Sequence, residues 1–354
     1  MSRADAFAQT LHDRLAHHHN EYDEFVDDAL EQGGLTWRGL GWHDPTPPDL
    51  APGRSLAVVI AARNSAYSLP SVLDSLAGQQ TAASVRVIVV DDASTDTTGD
   101  IAAAHPTVDI VHRLAERAGS GAARNAGTLL ADGVEQLVYL DADMVLPPHV
   151  LAGFAARYHP KLVLVGFRHS VPYQLGPDGR PVLPGGEPDL MHDHRVRWEP
   201  PAGKPLFYSG LVLDTPIIGW PMLDTHDLRD LGNHRRYHDW DLPRMVVTAL
   251  VAVPYEAVDR VRGFEPSFGA GWGCDDTYLG AKLIVDGCKV VPVRAARGWH
   301  IDPPDADTAW QAKFATAAAN VARYRRLLQQ PLPTGQLRND PATARLLAEG
   351  TRLK

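Results

Sequence analysis

The residue types best suited to chemistry fall in a few short stretches. Asp141-Ala142-Asp143 follows the apolar run Gln136 to Leu140. Two carboxylates one residue apart at a strand end can both approach a hard divalent cation such as Mg2+ or Mn2+, although the same triplet is common in ordinary surface loops. Asp91 and Asp92 close a second apolar run, Val85 to Val90, and Ser94, Thr95 and Asp96 behind them are helix-capping types. Two acidic clusters at strand ends point to one shared pocket. Between them, Gly119 to Gly127 carries small residues that let a backbone come close to a ligand, and Arg124 supplies a forked cation matched to phosphate oxygens. A Gly-capped helix start is the plainer alternative. No Lys-Ser or Lys-Thr follows, and no strand directly precedes, so neither a Walker loop nor a dinucleotide fingerprint fits. Further on, Gly271-Trp272-Gly273-Cys274-Asp275-Asp276-Thr277 sets an aromatic face beside a carboxylate pair. Trp272 could stack on a sugar ring while a carboxylate takes a proton from a hydroxyl, or the three could merely pack and cap a helix. His300, beside Trp299 after a strand, is by itself more often structural than a ligand.

Positioning these residues takes an alternation of strands and helices. Leu56 to Ala62 is a short apolar run suited to a strand buried on both faces, Leu69 to Gln80 has helical spacing, and Val85 to Val90 and Gln136 to Leu140 read as further strands. Carboxylates at the carboxyl ends of such strands sit where open α/β sheets bind ligands. After Pro148 the pattern is less regular, and Tyr173 to Pro205 reads as a long loop or small insertion. Met245 to Val253 and Lys289 to Val293 return to strand character, while Thr277 to Val285 and Ala309 to Gln330 are helical. Ahead of the first strand, Phe7, Leu11, Leu15, Phe25 and Ala29 recur at helical spacing. Two copies could pair through that stripe. Gly33 to Pro52 reads as a linker, and His17, His18 and His19, about 100° apart on a helix, cannot all face one metal.

Composition narrows the partners. The 354 residues carry 34 basic and 43 acidic side chains, a net charge of −9, which leaves no global cationic field for nucleic acid or anionic lipid. Two cysteines, Cys274 and Cys288, are too few for a disulfide framework or a four-ligand zinc site, which fits a reduced, cytoplasmic setting. The longest nearly continuous apolar run, Met245 to Val253, falls short of the roughly 20 residues that span a bilayer. Neither a transmembrane helix nor an export signal is expected.

Taken together, five stretches resemble the successive signatures of family 2 glycosyltransferases with the GT-A fold. They are Val58-Val59-Ile60 to Asn64, Val89 to Asp96, Gly121 to Gly127 with Ala123-Arg124-Asn125, Leu140 to Asp143, and the Gly-Trp-Gly-Cys-Asp-Asp loop. The resemblance covers roughly residues 55 to 300. It implies an α/β, Rossmann-like mixed sheet flanked by helices, with a nucleotide-sugar-binding half over 53–150 and an acceptor-binding half over 151–305; the spacing outside it adds an N-terminal helical extension and linker over 1–52 and a helical tail over 306–354. It implies a nucleoside-diphosphate sugar donor, UDP by preference, a Mn2+ or Mg2+ cofactor and inversion at the anomeric carbon. Carried over by residue, Asp91 and Asp92 hold base and ribose, Asp141 and Asp143 hold ribose and metal, and His300 completes the metal shell. Asp276 is the general base. Ala62, Arg63, Asn64, Arg124, Ala142 and Trp272 line the donor pocket. This sequence has Asp275 where Glu is usual and Arg63 where a small or aromatic residue is frequent. A sugar-phosphate nucleotidylyltransferase is the nearest competing enzyme, but its Gly-rich loop should follow the first strand, where Ala61-Ala62-Arg63-Asn64-Ser65 stands. A nucleotide-sugar-binding scaffold without turnover is the third reading. The acceptor is expected to be soluble, a small metabolite, glycan or peptide, held by the region from Tyr173 to Asp241, with Trp220, His226, His234, His238 and Trp240, and by the basic Arg323, Arg325 and Arg326.

Overall fold

The computed structural model describes residues 5–16, 49, 51–193, 195, 206–207, 216–217 and 242–354. The expectations for His17 to His19, for most of the linker, and for Trp220, His226, His234, His238 and Trp240 lie outside the described residues.

The apolar runs become strands of one mixed sheet: β1 (Ser55–Ala62), β2 (Ser84–Asp91), β3 (Ile110–Arg113), β4 (Gln136–Asp141), β5 (Met144–Val145), β6 (Leu162–Val171), β7 (Leu250–Pro254), β8 (Lys289–Ile301) and β9 (Thr351–Arg352). Among the described residues their order is β9-β3-β2-β1-β4-β7-β6-β8-β5. Strands β3, β2, β1 and β4 run parallel. The direction reverses at β7, which pairs antiparallel with both β4 and β6. Strand β1 is buried without alternation from Leu56 to Ile60, because helices cover both faces of the sheet. Those helices are α1 (Asp5–Ala16), α2 (Leu69–Ala77), α3 (Thr98–Ala104), α4 (Ser120–Leu130), α5 (Val150–Ala156), α6 (Tyr255–Arg260), α7 (Asp275–Val285), α8 (Ala306–Leu328) and α9 (Pro341–Glu349). Helix α4 lies close on the sheet. A Cβ at Gly127 would strike Val59, so only glycine allows that approach.

Several elements differ from the sequence expectation, each for a local reason. From Val150 to Val171 the chain is more regular than expected, with α5 and the ten-residue β6, whose buried run Leu162–Phe167 is hidden in sequence by the flanking Pro160 and the internal Gly166. Strand β7 begins at Leu250 because Leu242–Met245 forms a helical turn instead. Strand β8 continues to Ile301, past a register irregularity between Pro292 and Arg297 that interrupts its apolar pattern. The tail is not wholly helical, since after α8 and α9 the chain returns as β9 to pair with the sheet edge at β3. In the N-terminal stripe, Phe7 and Leu11 are buried, and Phe7 meets Tyr278 of α7 edge-on at 5.9 Å. That part of the stripe is spent within the chain. Among the described residues no helix is long and apolar enough to cross a membrane.

Candidate active site

Register brings the strand-end carboxylates to one edge. Ala62 pairs with Asp91 and Ala61 with Asp141, so β1, β2 and β4 end level with one another. Past that edge, Asn64 and Ala93 both take the left-handed conformation, with φ of 50° and 53°. Hydrogen bonds join the two turns. Arg63 donates to the carbonyls of Asp92 and Ala93 at 2.7 and 2.8 Å, and Asn64 Oδ1 accepts from the Thr95 amide at 2.8 Å. The two acidic residues between these turns serve the loop. Asp91 is fully buried, taking the Arg113 guanidinium at 2.7 Å and the Ser94 amide at 2.8 Å. Asp92 accepts from the amides of Ala118 and Gly119 at 2.6 and 3.0 Å, which fixes the entry to α4. Arg63 and Asn64 thus brace the Asp91-Asp92 turn, forming a shelf beside Ala62.

Helix α4 ties this shelf to the late loop. Asn125 forms a two-sided pair with the backbone of Phe264, donating from Nδ2 to its carbonyl at 2.9 Å and accepting from its amide at 2.7 Å. Arg124, expected from the sequence to meet phosphate oxygens, is instead buried, with Nη2 donating to Asp141 at 2.7 Å and Nη1 3.6 Å from Asp275. Its guanidinium is thus shared by a carboxylate of the Asp-x-Asp and one of the Asp-Asp pair. Asp275 also accepts from Ser120 Oγ at 3.1 Å, a bond within reach of the shorter side chain that stands in place of Glu.

The Asp-x-Asp meets a histidine. Strand β5 pairs antiparallel with β8, which sets His300 opposite Met144, and the Ile301 amide donates to the Asp143 carbonyl at 2.9 Å. One donor atom each from Asp141, Asp143 and His300 then lie within 4.8 Å of one another. Asp143 Oδ1 is buried, accepts no hydrogen bond and lies 3.3 Å from His300 Nε2. Burial pushes the Asp143 carboxyl up, the charge of Asp141 adds to this, and His300, Lys313 and Arg168 oppose it. Two crowded carboxylates, one with an unpaired buried oxygen, plus an imidazole form a donor set that suits a divalent cation of the Mg2+ or Mn2+ type. Tyr67, which the sequence reading missed, donates to Asp143 Oδ2 at 3.4 Å, and burial followed by the Asp143 charge keeps its hydroxyl protonated. The signal for it was position alone, three residues beyond Asn64 in the same strand-end loop. Ala142 holds the turn, its carbonyl accepting from Ser68 Oγ at 2.9 Å.

On the far side, Asp275 and Asp276 open α7, after Cys274 in the left-handed region at φ 68°. Asp276 accepts from the Thr277 amide at 2.8 Å. Loss of solvent and the neighbouring Asp275 push its carboxyl up to about 7, against the pull of Arg124. A carboxylate poised there is a competent base near neutral pH. Trp272, in the loop before α7, is tied to α8, its amide donating to Thr316 Oγ1 at 2.9 Å and its carbonyl accepting from Asn320 Nδ2 at 3.2 Å.

This geometry has relatives. The family model for glycosyl transferase family 2 matches residues 57–201. Validoxylamine A glucosyltransferase of Streptomyces hygroscopicus subsp. jinggangensis (strain 5008) is 29% identical over 296 residues, 78% of this chain and 62% of that protein. The protein of the same name from Streptomyces hygroscopicus subsp. limoneus is also 29% identical, over 78% of this chain and 58% of its own length. The chain thus spans about three fifths of these curated relatives. Among solved structures, GalNAc-T7 with UDP, GalNAc and Mn2+ superposes with a TM-score of 0.51 at 17% identity, covering 81% of this chain and 53% of that one, a likeness of fold. Residues 57–201 thus match glycosyl transferase family 2, and the chain has the GT-A fold.

Proposed function

We propose that this chain transfers a sugar from a nucleoside-diphosphate donor, UDP by preference, to a hydroxyl or amine of a soluble acceptor, with inversion and with a divalent metal. The observation that carries the reading is the grouping of Asp141, Asp143 and His300 around one point, with the Asp275-Asp276 pair tied to the same Arg124. The shelf of Arg63, Asn64 and the Asp91-Asp92 turn is the place for the nucleoside, beside Ala62. A bound Mn2+ or Mg2+, held by Asp141, Asp143 and His300, supplies charge compensation for the departing diphosphate.

The remaining chemistry falls to the chain's own residues. As the bond from the anomeric carbon to the diphosphate oxygen breaks, the acceptor heteroatom bonds to that carbon from the opposite face. Asp276 takes the acceptor proton, and the nucleoside diphosphate leaves with the electron pair. Arg124 keeps Asp141 and Asp275 in place without itself reaching the reacting atoms. The names of the curated relatives support an acceptor of the aminocyclitol or carbohydrate class.

A direct test follows UDP release from UDP-glucose with Mn2+, with EDTA, and with validoxylamine A as acceptor. Metal-dependent UDP release that rises with acceptor supports the reading. Pyrophosphate release, or UDP-glucose binding without turnover, overturns it in favour of a nucleotidylyltransferase or a scaffold.

A further inference from the structure

Helix α8 is built unlike the other long elements. Of its residues Ala306–Leu328, those buried are Asn320, Tyr324 and Leu328, all in its second half. The first half nonetheless carries Trp310 and Phe314, and these gather with Trp272 outside the core. Trp272 meets Trp310 at 5.8 Å and Phe314 at 5.9 Å, nearly perpendicular to both, while Trp310 and Phe314 lie 5.7 Å apart at 27°. Trp272 is 41% exposed and Phe314 62%. Apolar rings left partly in water forgo the gain of burial, so a preformed aromatic cluster on the surface marks a binding face. Lys313 stands beside it, Nζ 4.6 Å from the Trp310 ring centre.

The cluster belongs to the mouth of the active site. Both backbone groups of Trp272 are tied to α8, and four chain steps, at most roughly 14 Å, separate it from Asp276. Lys313 is close enough for its charge to act on Asp143. The face therefore lies on the side of the base.

Ring geometry selects the occupant. A flat aromatic guest sandwiched between two rings needs them about 7 Å apart, twice a van der Waals contact of roughly 3.5 Å, and the near-parallel pair is closer than that. The perpendicular rings form a corner instead of a slot. An acidic guest would approach Asp141, Asp143, Asp275 and Asp276 together. A chair-shaped polyhydroxylated ring suits both constraints, since its C–H face packs on an aromatic wall while its hydroxyls reach polar groups.

We propose that Trp272, Trp310 and Phe314, with Lys313 at their edge, form the acceptor platform, and that it takes a non-acidic polyhydroxylated six-membered ring of the sugar or cyclitol class. The assignment of this ring as acceptor rests on the transferase reading above. The full chain is titrated with methyl β-glucopyranoside, myo-inositol, validoxylamine A and p-nitrophenol, each with UDP and Mn2+ present, by saturation-transfer NMR and calorimetry. At least one polyhydroxylated ring should bind with transfer concentrated on its C–H protons. Phe314→Ala and Trp310→Ala should each weaken it at least tenfold, with the melting temperature and the affinity for UDP with Mn2+ kept as controls for the fold. Unchanged ring affinity in both variants overturns the platform, as does a wild type that binds UDP with Mn2+ but none of the rings, or that binds p-nitrophenol in preference. Absence of UDP binding with Mn2+ overturns the transferase reading instead, and ring binding lost with Phe314→Ala then still locates the surface.

Discussion

Replacing Arg124 by Met removes the cation that the two acidic clusters share. Arg124 is 6% exposed, with Asp141 at 2.7 Å and Asp275 at 3.6 Å. Removing one partner of a buried pair leaves uncompensated charge and costs about 3 to 5 kcal/mol. The Asp141 side chain keeps 30% of its exposure, so water offsets part of this and the lower end applies, about 3 kcal/mol. In a chain of this size that corresponds to a fall in melting temperature of roughly 4 °C. The same change should move the pH dependence. Asp276 is pushed up to about 7 with Arg124 pulling it down, so losing Arg124 raises it further. A carboxylate with a higher pKa gives up its proton at higher pH, so the rising limb of kcat/KM should shift to the alkaline side. Differential scanning calorimetry and a pH–rate profile with UDP-glucose read the two effects. A melting temperature within about 1 °C of wild type, together with an unshifted limb, would refute the argument that Arg124 holds the two clusters.

Three other outcomes are expected. Asp143→Ala should abolish the Mn2+ dependence of UDP binding in calorimetry while leaving the metal-free melting temperature unchanged or higher, because burial and Asp141 already disfavour the Asp143 charge. Asp276→Asn should lower transfer by about 10² to 10⁴ and flatten the limb near pH 7 while UDP binding persists; a near wild-type rate would pass the role of base to Asp275. Asn125→Ala should cost about 2 to 4 kcal/mol in denaturant unfolding, since it strands the buried amide and carbonyl of Phe264, and an unchanged midpoint would show that Asn125 does not hold that loop.

The strands that end in carboxylates were legible because each combines a buried run with an abrupt change to acidic residues, as at Val90-Asp91 and Leu140-Asp141. The unions across the sheet were not. Nothing local to His300 states that β8 continues past Pro292 and lays it against Met144, because antiparallel register is a property of two distant segments. For the same reason Arg124 read as a phosphate ligand from its own neighbourhood, while its carboxylate partners lie 17 and 151 positions further on. Tyr67 carries no pattern at all beyond its place in a loop. Helix α8 was recognised by its spacing, but the rings it gathers depend on Trp272, which reaches it from another part of the chain.

The two-sided grip of Asn125 on Phe264 has a mechanical consequence. Because one amide side chain holds both the N–H and the C=O of the same residue, it resists sliding as well as separation, much as a rivet does where a hinge pin would not. Lys282 reinforces the joint from behind, donating to the carbonyls of Val261 and Gly263. Any thermal excursion that widened the gap between Asp276 and the Asp-x-Asp through this joint would break the Asn125 pair and strain the Arg124 contacts together. On the transferase reading proposed above, the span between Asp276 and the Asp-x-Asp is therefore held at this joint, and the clearance for substrates to enter and leave would come from elsewhere around the cleft.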